Sequence, residues 1–121
     1  MVRILIADDH SEVLMATADL ISDCADVEIV SLATNADEAV EAAASLQPDI
    51  VFVDAWLRGG GAEGVARRIQ EVAPQTVVVA LASAKDLDLA LKLRAAGAAG
   101  CYEKENLSAV LPEILAAARL R

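Results

Sequence analysis

Aromatic residues are scarce in this chain: Phe52, Trp56 and Tyr102 are the only three in 121 positions. With 26 alanines inside a hydrophobic fraction of 56%, the core has to be aliphatic. Cysteine is scarce too, and Cys24 and Cys101 each sit in an apolar stretch far from the other. Two such residues make neither a disulfide framework nor a zinc ribbon, and they read as reduced thiols of a cytoplasmic protein. Positive charge is in deficit, since ten Lys and Arg against 19 Asp and Glu leave −9. That balance argues against direct contact with nucleic acid or an anionic membrane, both of which reward positive charge. No apolar run reaches transmembrane length, and Met1 leads into Val2-Arg3-Ile4-Leu5-Ile6 without a basic region or cleavage site. The sequence therefore predicts no membrane span and no export. No linker, repeat or low-complexity segment breaks the composition, so residues 1–121 are expected to form one domain.

What the chain does contain is a regular alternation of two periodicities. Val2 to Ala7 is an aliphatic run closed by Asp8-Asp9-His10, and residues 11 to 24 carry Val13, Leu14, Leu20, Ile21 and Cys24 at helical spacing. Val27 to Leu32 reads as a second strand, with Asn35 capping a helix over residues 36 to 46 and Pro48 closing it. Ile50 to Val53 is a continuous apolar strand ending at Asp54. Gly59-Gly60-Gly61 then reads as a long, flexible connection to a helix from about Ala62 to Val72. Val77 to Ala82 forms a fourth strand, followed by a helix from Leu87 to Ala96 that Gly97 ends. Gly100 to Glu103 is a brief fifth strand, and Asn106 or Ser108 opens a last helix running through Leu120. Continuous apolar strands alternating with helices imply a parallel α/β sheet buried on both faces and doubly wound.

Ligands of an open doubly wound sheet sit beyond the carboxyl ends of its strands. Asp8 and Asp9 end the first strand, Asp54 the third, Ala82 and Ser83 the fourth, and Lys104 follows the fifth. Three carboxylates and one ammonium should therefore converge. Each carboxylate pair at close approach costs about 4 kcal/mol at an effective dielectric near 20, so the arrangement calls for a counter-charge. A divalent cation supplies it, and hard oxygen ligands with room for water suit Mg²⁺ and an incoming phosphoryl group. Asp54, alone at a central strand end, is the candidate nucleophile toward phosphorus. His10 stands at a helix entrance with no second His and is expected at the surface, without a chemical role. The Gly59-Gly60-Gly61 run lacks the GxxxxGK[ST] phosphate-loop pattern, and Arg67-Arg68 reads as an exposed helix face.

Three segments, Ile4-Leu5-Ile6-Ala7-Asp8-Asp9-His10, Pro48-Asp49-Ile50-Val51-Phe52-Val53-Asp54 and Gly97-Ala98-Ala99-Gly100 before Lys104, occur in the order and spacing of a known family. Across essentially its whole length the chain resembles the receiver domain of bacterial two-component response regulators, most of all those that precede a helix-turn-helix DNA-binding domain. The resemblance implies a flavodoxin-like fold, a five-stranded parallel sheet in order 2-1-3-4-5 with five helices. It implies that Asp54 accepts phosphate from a sensor histidine kinase. Asp9, Asp54 and the Trp56 main-chain carbonyl would ligate Mg²⁺, and Asp8 would act through a metal-bound water. Lys104 would pair with the phosphoryl oxygens. A C-terminal DNA-binding output domain, absent from these 121 residues, and a homodimer are the further partners it suggests. The domain is thus expected to be a phosphoacceptor, not an enzyme.

The departures from the family pattern are specific. Ala82 falls where a Thr or Ser hydroxyl bonds the phosphoryl group, and Ser83, a candidate hydroxyl, comes one residue late. Cys101 falls at the strand-five aromatic that reorients on activation, with Tyr102 again one residue late. Neighbours in a strand point to opposite faces, so Ser83 and Tyr102 should face away from those positions. Arg58 and Glu105 stand where Pro is usual. Trp56, bulky and two residues past Asp54, is expected to shield a phosphoryl group from water. A competing reading follows: a degenerate receiver that dimerises or docks without phosphate. A phosphatase with an aspartate nucleophile would instead space its acids Asp-x-Asp, whereas Asp8 and Asp9 are adjacent.

Overall fold

The computed structural model describes residues 1–84 and 86–120; Arg121, the expected domain boundary, lies outside them. Five largely aliphatic runs form five strands: β1 (Val2–Ala7), β2 (Val27–Ala33), β3 (Ile50–Asp54), β4 (Val77–Ala82) and β5 (Gly100–Glu103). They alternate with α1 (Ser11–Ser22), α2 (Ala36–Leu46), α3 (Gly61–Val72), α4 (Leu87–Ala95) and α5 (Leu107–Arg119). The strands pair in parallel in the order β2-β1-β3-β4-β5, so the order in which strands are added reverses between β1 and β3. That is the doubly wound arrangement expected from the sequence.

Alternation along each strand divides the core into two layers of different composition. Leu5, Val51, Val53, Val78 and Ala80 face α2, α3 and α4, which answer largely with alanines such as Ala36, Ala39, Ala43, Ala62 and Ala66. Ile4, Ile6, Ile50, Phe52, Val79 and Leu81 face α1 and α5, which contribute Leu14, Ile21, Leu107, Leu111 and Leu115. The abundance of alanine therefore belongs mainly to the side of the sheet that carries three helices. β3 is buried along its entire length, which is why its sequence shows no polar alternation before Asp54.

Several boundaries differ from the sequence reading for local reasons. α1 stops at Ser22, and the chain turns through Cys24 to Asp26, which holds a positive φ of 61°. α5 begins at Leu107 after a tight 3₁₀ turn, Lys104–Asn106, that no periodicity announced. The largest correction concerns Gly59-Gly60-Gly61, which forms a hydrogen-bonded turn instead of a loose connection. The Gly61 N–H donates to the Leu57 carbonyl at 2.8 Å, and the Arg58 carbonyl accepts from Ala36 at 2.9 Å. Gly61 has φ +67°, and a Cβ there would lie 2.7 Å from the Ala55 carbonyl oxygen, so glycine serves geometry at this point. Gly97 closes α4 as expected: its N–H reaches the Arg94 carbonyl at 3.0 Å and that of Ala98 the Leu93 carbonyl at 2.9 Å, the paired bonds of a left-handed cap.

Candidate functional site

The topology brings the first and third strands side by side, and their carboxyl ends deliver the acids. Asp8 leaves β1 with its backbone N–H bonded to the Ala33 carbonyl at 3.0 Å, and Asp54 is the last residue of β3. Among the described residues these two are the only buried polar or charged ones, at 4% and 5% exposure. Lys104, at the start of the tight turn after β5, reaches both: its Nζ lies 3.0 Å from Asp8 Oδ2 and 2.7 Å from Asp54 Oδ1. Burial alone would lower the Lys104 ammonium, but its bonds to Asp54 and Asp8 and their charges outweigh that and hold it above its ordinary 10.5. Asp9 adds a third carboxylate beside the pair, one that Lys104 does not reach. The cluster can bind a metal ion: Asp8, Asp9, Asp54 and His10 each offer one donor atom, all within 4.8 Å of one another.

The sequence reading placed the acids and Lys104 together, and the structure does the same. It also recruits two residues to which no role was given. His10 is exposed as expected, yet its Nδ1 lies 3.1 Å from Asp8 Oδ1 and 3.1 Å from Asp9 Oδ1. The backbone N–H of Arg58 donates to Asp9 Oδ2 at 3.2 Å, with its guanidinium Nε 3.9 Å from the same oxygen. Adjacency to Asp9 was the available signal for His10. Arg58 was visible only as a departure from a pattern, because its contact depends on the fold of the glycine turn.

Ser83 lies just past β4 and is exposed, while Ala82, the last residue of β4, is buried. Cys101 packs in the layer with α4, and Tyr102 in the layer with α5, so the one-residue displacement does turn Tyr102 to the other face. Between β4, β5 and α4 lies a cavity of about 150 Å³ lined by Ala82, Ala90 and Cys101 among others. Burial, and the charge of Asp86, push the Cys101 thiol up. The Trp56 side chain is 66% exposed. Arg67 and Arg68 occupy an exposed face of α3, where they pair with Glu63 at 3.1 Å and Asp37 at 2.9 Å.

The response regulator receiver domain model matches residues 4–116. The response regulator GacA of Pseudomonas viridiflava is 31% identical over 120 residues, covering 99% of this chain and 55% of that protein. The transcriptional regulatory protein LiaR of Bacillus subtilis is 29% identical over 98% of this chain and 56% of its own length. A LuxR-family two-component response regulator from an Aurantimonas species superposes with a TM-score of 0.90 at 30% identity, over 98% of this chain and 86% of that one. The chain belongs to the response regulator receiver domain family, a class of phosphoacceptors rather than enzymes. Its pocket of Asp8, Asp9 and Asp54 with Lys104 is consistent with the phosphoacceptor site of that class. The chain spans about half the length of the curated relatives it matches.

Proposed function

We propose that residues 1–121 form a single phosphorylation-dependent signalling domain in which Asp54 accepts a phosphoryl group from a sensor histidine kinase. The observation that carries this reading is the burial of Asp8 and Asp54 around a single ammonium. With Asp9 the pocket keeps an excess of negative charge, and Asp9 Oδ1 is buried without a hydrogen bond among the described residues. Hard oxygen donors in excess of local positive charge fit Mg²⁺, held by Asp9, Asp54 and the Trp56 carbonyl, with Asp8 acting through water. Bound there, Mg²⁺ would neutralise charge on the transferred oxygens.

Asp54 supplies the attacking oxygen. A new bond forms from that oxygen to phosphorus while the bond from phosphorus to the donor imidazole nitrogen breaks. The imidazole leaves with the electron pair, and an acyl phosphate remains on Asp54. Lys104, already against Asp54, pairs with the phosphoryl oxygens. Ser83 offers a hydroxyl only if the segment after β4 turns it inward.

The charge change then biases the face formed by α4, β5 and α5 and alters association with a partner. In this reading the domain works in the cytoplasm with a C-terminal DNA-binding output domain and associates as a homodimer. A transcriptional regulatory protein among its relatives, about twice as long as this chain, supports the output domain, and a charge of −9 keeps the receiver itself off nucleic acid. Among the described residues no helix is long and apolar enough to cross a membrane.

The test is incubation with Mg²⁺ and a small phosphodonor, followed by intact mass. Added phosphate is expected on the parent chain and none on Asp54→Asn; an unmodified parent chain sinks the proposal. A second reading, docking without phosphate, draws on Ala82 and Cys101, which leave no hydroxyl and no aromatic ring on the α4 side of those strands. Beryllofluoride separates the two. A change in oligomeric state or amide spectrum favours the switch, and binding without either favours the docking module.

A further inference from the structure

Beside Asp9 stands a guanidinium to which the phosphoacceptor reading gives no task. The Arg58 backbone N–H donates to Asp9 Oδ2 at 3.2 Å, and its Nε stands 3.9 Å from the same oxygen. The main chain is fixed there. The Leu57 N–H donates to the Asp54 carbonyl at 3.1 Å, that of Gly61 to the Leu57 carbonyl at 2.8 Å, and that of Ala36 to the Arg58 carbonyl at 2.9 Å, so the turn is tied to both β3 and α2. The side chain is loose by contrast, at 78% exposure. Arg67 and Arg68 hold acids at 3.1 and 2.9 Å, whereas the long contact to Asp9 is the only ion pair of Arg58 among the described residues.

β4 ends beside Asp54 in Leu81 and Ala82, neither of which has a side-chain donor. Among the described residues Lys104 is then the only ammonium or guanidinium in contact with Asp54. Three carboxylates and one ammonium leave two negative charges, which Mg²⁺ cancels; a phosphoryl group on Asp54 adds roughly one more. A guanidinium suits that excess, because its rigid fork of N–H donors matches paired phosphoryl oxygens and is more weakly hydrated than an ammonium. Donor atoms of Asp9 and Asp54 lie within 4.8 Å of each other, so an exposed side chain rooted beside Asp9 crosses that gap by rotamer changes alone. We infer that Arg58 is a phosphoryl-binding residue, which swings from Asp9 to the oxygens of phosphorylated Asp54 and takes the place of the hydroxyl missing at Ala82. This role presupposes that Asp54 accepts the phosphoryl group, as proposed above.

The test is calorimetric titration of beryllofluoride, as the phosphoryl mimic, into the Mg²⁺-saturated parent chain, Arg58→Ala and Arg58→Lys, with Mg²⁺ itself titrated into each. A hydrogen bond to a charged group is worth about a factor of ten or more, so Arg58→Ala should weaken beryllofluoride binding about tenfold. Arg58→Lys, which keeps the charge without the fork, should recover part of that loss. Mg²⁺ affinity should be no lower in Arg58→Ala, since the backbone N–H that holds Asp9 remains and a neighbouring positive charge is gone. Equal beryllofluoride affinity in the parent and Arg58→Ala overturns the assignment. So does a matching fall in Mg²⁺ affinity, which a disturbed turn would give, or a Lys variant as weak as the Ala one. If the parent binds beryllofluoride in any of those cases, the phosphoacceptor reading is untouched; if the parent binds none, both fall together.

Discussion

Replacing Lys104 by Met leaves Asp8 and Asp54 buried side by side with no ammonium between them. The pair lies between an exposed ion pair and a fully buried one, so the variant should lose about 2 kcal/mol of unfolding free energy at neutral pH, read by urea denaturation. The pH dependence has a definite sign. The folded chain holds the Lys104 proton more tightly than the unfolded chain does, so this contribution is complete below the ordinary 10.5 and disappears as pH climbs through the higher folded value. The stability gap between parent and Lys104→Met should stay flat to about pH 10 and close above it. Cys101 offers a second single-residue check. With burial and Asp86 both raising its thiol, alkylation should reach half its maximal rate at a higher pH in the folded chain than in urea. Asp86→Asn should bring the midpoint partway down, since Asn keeps the cap on Leu89 but removes the charge.

Elements were legible in proportion to how locally they are determined. The strands announced themselves as short runs rich in aliphatic residues, most clearly β4, and β3 up to Asp54, which have nothing polar inside them. α2 did so because Asn35 accepts from the Glu38 N–H at 2.9 Å, while Glu38 reaches back to the Thr34 N–H and hydroxyl, both at 2.7 Å. The two Thr34 bonds also hold the Glu38 carboxyl below its usual value. Asn35→Ala should cost about 1 kcal/mol, measured as a shift in the urea midpoint with an unchanged slope. The turn after β3 was misread, since a glycine run looks the same whether glycine provides freedom or a left-handed backbone. Gly61→Ala decides between them: a loose loop would tolerate it, whereas the turn described here should lose 1 kcal/mol or more, by the order of magnitude of non-glycine left-handed strain. The short turn at Lys104–Asn106 had no sequence signal because its three residues are polar and it is too brief for a periodicity.

At the scale of the molecule, the parallel order β2-β1-β3-β4-β5 sets Asp8 beside Asp54 from positions 46 residues apart in number, and the helical crossovers then bring Lys104 over both. This part of the site was readable because strand ends in a doubly wound sheet have only one place to meet. The contributions of His10 and Arg58 were not, since each depends on loop conformation. A cation that binds only the assembled pocket must stabilise the whole fold. Mg²⁺ at a hundredfold excess over its dissociation constant should raise the unfolding free energy by about 2.7 kcal/mol, with a chelator abolishing the gain.

Lys104 meets Asp8 across 96 positions of sequence. A ribosome delivers β1 and β3 long before it delivers that lysine, so the growing polypeptide carries two neighbouring carboxylates with their neutralising partner still unmade. The pocket is completed only once β5 and the turn after it have emerged, so a nascent copy of the domain that stops short of them lacks the ammonium that Asp8 and Asp54 share.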